Sequence, residues 1–207
     1  MRRAPWARPD LASRRVVWRA RDQVAPAADG VGRWGLRSGP MAPFRPNRDE
    51  YEHDLPWRLM QNGPVTLYWR REYFAEDIGA LRERGFVVPL FDCRAWPDEF
   101  ALHEELRVGL GMPDYTGHSF DALNDSLSEI DVPEESGVMV ALDNVTDAPR
   151  ADVLLDVLAG ASRWWLLFGR IFGVLARTDD PNYAPPRVGG MRPAWNGREW
   201  LDANRAG

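Results

Sequence analysis

Short apolar runs and longer amphipathic segments alternate along the chain. β-Branched and aromatic residues concentrate in four runs, which predict strands over 64–69, 86–91, 137–142 and 171–176. Between these runs, apolar residues recur every three or four positions, which predicts helices over 73–84, 97–109, 119–127 and 147–161. This order predicts an α/β fold with flanking helices and a mostly parallel sheet, because parallel neighbours must be joined by crossover connections.

Several single residues within this pattern carry expectations of their own. Pro89 cannot donate a ladder hydrogen bond, so the second strand is predicted at an edge of the sheet or with a bulge. Cys93 is the one cysteine, which excludes an internal disulfide; it could be a nucleophile, but we favour a small buried residue at the end of a strand. His103 is expected to be solvated on a helix flank. Trp195 and Trp200 are expected to anchor a C-terminal tail on the domain.

Charge divides the chain of 207 residues, whose formal net charge is −5. Residues 1–40 hold nine arginines against three acids, whereas residues 41–207 carry a net charge of −11. The basic segment has no apolar period and is expected to be disordered. It is either a tail that touches an acidic surface or an artefact of start-site choice, with Met41 as the true start, which we favour. Residues 41–63 are expected to form an irregular lead-in.

The acidic remainder of the chain restricts the possible partners and compartments. A net negative charge repels phosphates, so nucleic-acid binding through the acidic domain is not expected. The chain has no long apolar run and no apolar stretch after its basic start. A membrane span and a secretory signal are therefore not expected, and a cytoplasmic protein is favoured.

The third predicted helix separates apolar from acidic residues. At about 100° per residue, Asp121 and Asp125 fall on the side opposite to Phe120, Leu123 and Leu127. Like charges four positions apart cost a helix about 0.2–0.5 kcal/mol, and local violations of this kind tend to mark functional residues. We therefore interpret the acidic side as an interaction face, with an ordinary solvated surface as the alternative.

The sequence around this helix resembles that of a known family. Residues 110–127 read LGMPDYTGHSFDALNDSL and resemble the barstar family, the intracellular inhibitors of the secreted bacterial ribonuclease barnase, with Met112 in place of a leucine. The resemblance covers about residues 86–178 and implies a barstar-like parallel sheet of three strands with helices, to which a strand over 64–70 would add a fourth. It further implies a protein that is not an enzyme, needs no cofactor or metal, and blocks a basic ribonuclease active site with an acidic helix and a tyrosine loop. The expected partner-binding residues are Tyr115, Thr116, Gly117, His118, Asp121, Asn124 and Asp125.

Four features depart from the family pattern. Asn124 stands where the family has an interface tryptophan, and His118 replaces an acid in the loop. The later helix, around 158–161, lacks a further interface glutamate. Residues 64–85 add a strand–helix unit before the barstar-like domain, and residues 179–207 add a tail that is expected to pack on it. The first three departures weaken the expectation that the target is barnase itself, and the added segments suggest a subfamily with a larger sheet, of four strands.

Two alternatives to a ribonuclease inhibitor are open. A barstar-like fold repurposed for a different protein partner, such as a related toxin or a regulator, is favoured by Asn124 and the missing glutamate. A metal-dependent enzyme would need His118, Asp121 and Asp125 as ligands, or the acids at 179–180. The sequence supplies no phosphate-binding glycine loop for such an enzyme. We therefore expect an inhibitor of a basic, secreted-type ribonuclease or a related toxin.

Overall fold

Helices and strands alternate along the residues that the computed structural model describes, 54–201 and 205. The expectations for residues 1–40, for a start at Met41 and for the first part of the lead-in lie outside the described residues. In chain order the elements are α1 (Leu55–Met60), β1 (Val65–Tyr68), α2 (Arg71–Glu83), β2 (Leu90–Asp92), α3 (Glu99–Gly109), α4 (Phe120–Ser126), β3 (Val138–Asp143), α5 (Ala151–Leu167), β4 (Phe172–Arg177) and β5 (Ala194–Trp195), with 3-10 turns at Cys93–Ala95 and Val145–Asp147.

All named strands of the described part form one parallel sheet in the order β2-β3-β4-β1-β5. The predicted α/β class with a parallel sheet and flanking helices is confirmed. The strand predicted over 64–70 pairs with β4, as Val65 opposite Val174 shows. The sheet has a fifth strand beyond the three or four expected, because the two-residue strand β5 lies in a segment rich in proline and glycine that shows no strand pattern.

Apolar side chains on both faces of the sheet pack against helices. Along β3, Val138, Val140 and Leu142 join the cluster formed with α3, α4 and α5. The intervening Met139 and Ala141 join a second cluster formed with α1 and α2. Burial on both faces explains why this strand is apolar throughout, since alternation of polar and apolar residues is expected only where one face is solvated.

The second strand departs most from the sequence prediction. Strand β2 pairs with β3 from Leu90 to Asp92, and the predicted start near Phe86 is reduced to an isolated bridge between Val87 and Val138. Pro89 lies between the two and has no N–H to donate, although its carbonyl accepts from Ala141 at 2.8 Å. The edge position that this proline predicted is confirmed by the strand order.

Other boundaries also differ from expectation. The lead-in expected to be irregular contains helix α1, so that expectation is wrong within the described residues. Helix α5 begins at Ala151 rather than near Asp147, because a 3-10 turn intervenes and Arg150 has a φ of +50° before the helix.

Cys93 is fully buried directly after β2, as expected for a structural cysteine. This burial raises the pKa of its thiol, which disfavours a reactive thiolate.

The segment after β4 returns to the sheet and contacts β1. Asn196 donates its backbone N–H to the Leu67 carbonyl at 2.8 Å. Trp195 is half-buried beneath the Arg205 guanidinium, 4.3 Å from its ring centre. Trp200 is 66% exposed, so the expectation that it anchors the tail is wrong. In the part of the chain that is described, no helix is both long and apolar enough to span a bilayer.

Candidate functional site

Helix α4 is capped at its N-terminal end and bonded to α5 at its C-terminal end. The Ser119 hydroxyl accepts the Ala122 N–H at 3.2 Å, which caps the first turn. Leu123 and Leu127 are buried against α3 and α5. The Leu127 carbonyl also accepts the indole N–H of Trp165 from α5 at 2.9 Å. The other side of α4 is therefore held outward.

The outward side of α4 carries Asp121, Asn124 and Asp125, which are all exposed. Neither carboxylate forms an ion pair with any residue in the described ranges. The two aspartates stand four positions apart, at the spacing that places side chains on one helix face. This face consequently presents two unneutralised charges to solvent.

Other acids in the same stretch of chain do have basic partners. Arg107 binds Glu104 at 3.0 Å and Asp114 at 2.6 Å, and Arg170 binds Glu134 at 3.4 Å. The hydrogen bonds from Arg107, followed by those from His118, lower the pKa of Glu104 to about 2. Three of the eleven acids from Asp98 to Glu135 thus have counterions among the described residues, and Asp121 and Asp125 are among those that do not.

Tyr115 projects from the loop before α4 and is 77% exposed. Its hydroxyl donates to a carboxylate oxygen of Glu129 at 2.6 Å, and this hydrogen bond raises the pKa of the tyrosine. The tether holds the ring in place at the surface. Gly117, also exposed, lets the loop lie against the first turn of α4, since a Cβ there would come within 3.2 Å of the Ala122 Cβ.

Thr116 differs from the other predicted site residues. It is buried, and its hydroxyl lies 3.0 Å from that of Ser126 on α4. Thr116 was expected among the partner-binding residues, and its side chain does not form part of the exposed surface. The contact between Thr116 and Ser126 instead attaches the loop to α4 and so fixes the neighbouring Tyr115 and Gly117 relative to the helix.

His118 lies at the rim of this surface and is attached to α3. Its Nε2 is 2.6 Å from a carboxylate oxygen of Glu104, and its ring stacks on Phe100 with centroids 4.3 Å apart. Among the described residues, no group of three or more His, Cys, Asp or Glu side chains is arranged to hold a metal ion, and this includes His118 with Asp121 and Asp125.

A cleft that was not predicted from the sequence lies between α4 and α5. Its volume is about 350 Å³, and Trp164 forms one wall at 46% exposure. The indole N–H of Trp165 is bonded to α4, and the half-exposed ring of Phe168 packs against both indoles, with its centroid 5.1 Å from that of Trp164 and 6.3 Å from that of Trp165. Helical spacing could have separated the two tryptophans, but not revealed the cleft. Its lining residues are Asn124, Asp125, Ser128, Gly160, Ala161 and Trp164.

His103 lies beneath this surface rather than on it. It is only 4% exposed and packs edge-on against Phe120, with ring centroids 5.0 Å apart, so the expectation of a solvated histidine is wrong. Its Nε2 is buried without a hydrogen-bond partner in the described structure. Burial lowers the pKa of this imidazole, which favours its neutral form.

Comparison with known proteins places a family match over most of this region. Residues 86–177 match the family described as barstar, the barnase inhibitor. The matched range runs from just before β2 to the end of β4 and contains every candidate residue described above. Strands β1 and β5 and helices α1 and α2 lie outside it. No curated protein matches the chain.

Proposed function

Because residues 86–177 belong to the barstar family of barnase inhibitors, we propose that this protein inhibits a basic ribonuclease of the barnase type. Inhibition is steric and electrostatic: α4 and the loop before it cover the active site of the ribonuclease, in the position that RNA phosphates would take. The inhibitor needs no cofactor for this. It acts in the cytoplasm and protects the producing cell until the ribonuclease is exported.

The observation that carries this proposal is the pair of exposed carboxylates on one face of α4, Asp121 and Asp125. Neither forms an ion pair within the described residues, although Glu104, Asp114 and Glu134 in the same stretch of chain do. Leaving like charges four positions apart costs helix stability. A site that binds RNA must be lined by cations, and two fixed carboxylates without counterions complement such a site.

The other surface residues have supporting roles in this proposal. Tyr115 stacks on the rim of the ribonuclease site, because an exposed tyrosine held by its hydroxyl presents a rigid apolar face. His118 and Asn124 contact the periphery. The net charge of −11 on residues 41–207 accelerates the encounter with a basic protein.

A second candidate function is the binding of a different basic protein, such as a related toxin, by the same face. The open cleft between α4 and α5 favours this alternative. Asn124 lines the cleft and stands where the family has an interface tryptophan. Gly160 also lines the cleft and lies in the region where the family has a further interface glutamate. A partner of this subfamily would then differ from barnase in what it places against α5.

The test is a titration of the full-length protein against a panel of guanyl-preferring bacterial ribonucleases, with RNA cleavage as the readout. The wild type should inhibit stoichiometrically. Asp125→Ala should weaken inhibition by about 30- to 4000-fold, since removing one partner of a buried charge pair costs about 2–5 kcal/mol. Its matched control is Asp131→Asn, which removes one exposed charge from the same stretch of chain outside α4.

Three results distinguish the possibilities. Loss in Asp125→Ala alone supports inhibition through α4. Equal loss in both variants would show a general charge effect and remove α4 from the interface. No inhibition of any ribonuclease by the wild type would overturn the proposed target class and favour the second candidate, which isolation of the native complex would then identify.

A further inference from the structure

We propose that the cleft between α4 and α5 binds one arginine side chain of the partner, with its guanidinium stacked on Trp164 and paired with Asp125. The inference rests on the proposed function only in taking the partner to be basic. It assigns a separate subsite, because Trp164 is on α5 and was not among the expected partner-binding residues.

The aromatic wall of the cleft is held in place from one side. The Trp164 and Phe168 ring centroids are 5.1 Å apart, and the two residues are spaced by one helical turn. Trp164 nevertheless remains 46% exposed. An exposed, oriented indole is the best natural surface for a cation, and a planar guanidinium can also stack on it.

The polar groups of the cleft are suited to a donor. The Asp125 carboxylate, the Asn124 amide oxygen and the Ser128 hydroxyl can all accept hydrogen bonds. Ser128 donates its own proton to the backbone carbonyl of Asp125 at 2.6 Å, so its lone pairs are available. Within the described part of the chain no cationic side chain lines the cleft. A guanidinium has several donors in one plane and matches this set, whereas a lysine ammonium has no planar face.

The floor of the cleft is open because Gly160 has no side chain. A Cβ placed there would lie 3.9 Å from the Asn124 amide oxygen, which is ordinary contact. An alanine would therefore fit at this position, and it would stabilise the interior of α5 relative to glycine. The space beside Asp125 is thus a consequence of residue choice at this position, and a branched side chain at 160 would fill it.

The experiment compares two labelled peptides of equal charge, hexa-arginine and hexa-lysine, by fluorescence anisotropy with the full-length protein at one ionic strength. Wild type should bind the arginine peptide about two- to fivefold more tightly, the range expected for an exposed cation–π contact. Trp164→Ala should abolish this preference, with a smaller loss of affinity for the lysine peptide, whose ammonium is also attracted to an indole face but cannot stack on it. The matched control is Trp200→Ala, which removes another exposed tryptophan and should keep the preference.

Gly160→Leu provides a second test that does not depend on removing a large ring. It should also abolish the arginine preference, while circular dichroism shows an intact fold. Equal affinity of the wild type for both peptides would overturn the inference, as would a preference that survives in both Trp164→Ala and Gly160→Leu. Since no ribonuclease is present, an arginine preference with the expected variant effects would stand even if the inhibition assay failed.

Discussion

Replacing Glu199 with alanine should destabilise the protein, although this residue lies outside the family-matched range. The Glu199 side chain is fully buried and accepts the backbone N–H groups of Trp69 at 3.1 Å and Arg70 at 2.7 Å. These amides precede the first turn of α2, whose N-cap residue, Arg70, offers no side-chain cap. A glutamate from a distant part of the sequence therefore supplies the negative charge that the positive end of this helix favours.

The expected cost follows from the two hydrogen bonds. A hydrogen bond to a charged group contributes about 1.5–3 kcal/mol, so two would contribute about 3–6 kcal/mol if both were sealed from water. Trp69 is half-buried and Arg70 is exposed, so water can partly replace the lost acceptor. We therefore expect Glu199→Ala to cost about 2–4 kcal/mol. Glu199→Gln keeps one acceptor oxygen but places its amide NH2 against the second backbone N–H, so it should also destabilise the protein.

Urea denaturation measures this free energy of unfolding, with the midpoint expected to fall at an unchanged slope. The matched control is Glu76→Gln, because Glu76 is an exposed acid that pairs with Arg198 in the same region. Exposed ion pairs contribute about 0–1 kcal/mol, so the control should change little. If the free energy of unfolding of the Glu199→Ala variant lies within about 0.5 kcal/mol of the wild-type value, the capping role of Glu199 is refuted.

Three further predictions concern the surface and the residues beneath it. Burial lowers the pKa of His103 below its ordinary value of 6.5. As the pH falls below 6.5, His103 is therefore protonated more readily in the unfolded chain than in the folded protein, and the free energy of unfolding should decrease. His103→Leu should reduce this loss between pH 7 and pH 5 in paired urea titrations, and an unchanged loss would contradict the assignment. Thr116→Val leaves the buried Ser126 hydroxyl without its partner and should lower the free energy of unfolding by about 1–2 kcal/mol. The double variant Thr116→Val with Ser126→Ala should be little less stable than Thr116→Val alone, and additive losses in the two single variants would argue against the hydrogen bond. Association with an inhibited ribonuclease, measured by stopped flow, should slow as salt rises, and an on-rate indifferent to salt would exclude steering by the acidic face.

The central strands were predictable because their surroundings are uniform. Strands β3 and β4 are buried on both faces, so their segments are apolar throughout and begin and end within one or two residues of the prediction. Strand β2 was misplaced because Pro89 divides it, and apolar composition alone does not show which side of a proline enters the ladder. Strand β5 has two residues, Ala194 and Trp195, too few to show any periodicity.

The candidate site was predictable where helical spacing decides exposure. The outward position of Asp121 and Asp125 follows from the 3.6-residue period, once Ser119 fixes the start of α4. The burial of Thr116 depends on how the loop folds back onto Ser126, which no local pattern indicates. The cleft beside Trp164 depends on the approach of two helices that are distant in sequence, so it required the tertiary structure.

The short pairing between β1 and β5 has a consequence for how the protein is made. Residues Thr66 and Leu67 pair with Ala194 and Trp195, so one side of β1 acquires its cover only after most of the chain has been synthesised. Until then, one edge of β1 in the nascent chain has unpaired backbone N–H and C=O groups, which are a template for pairing with other chains. A fragment that retains the family-matched domain but loses residues 194–199 should keep α4 and still self-associate through this edge. Aggregation during expression of truncated forms would therefore arise at β1 and not at the acidic face.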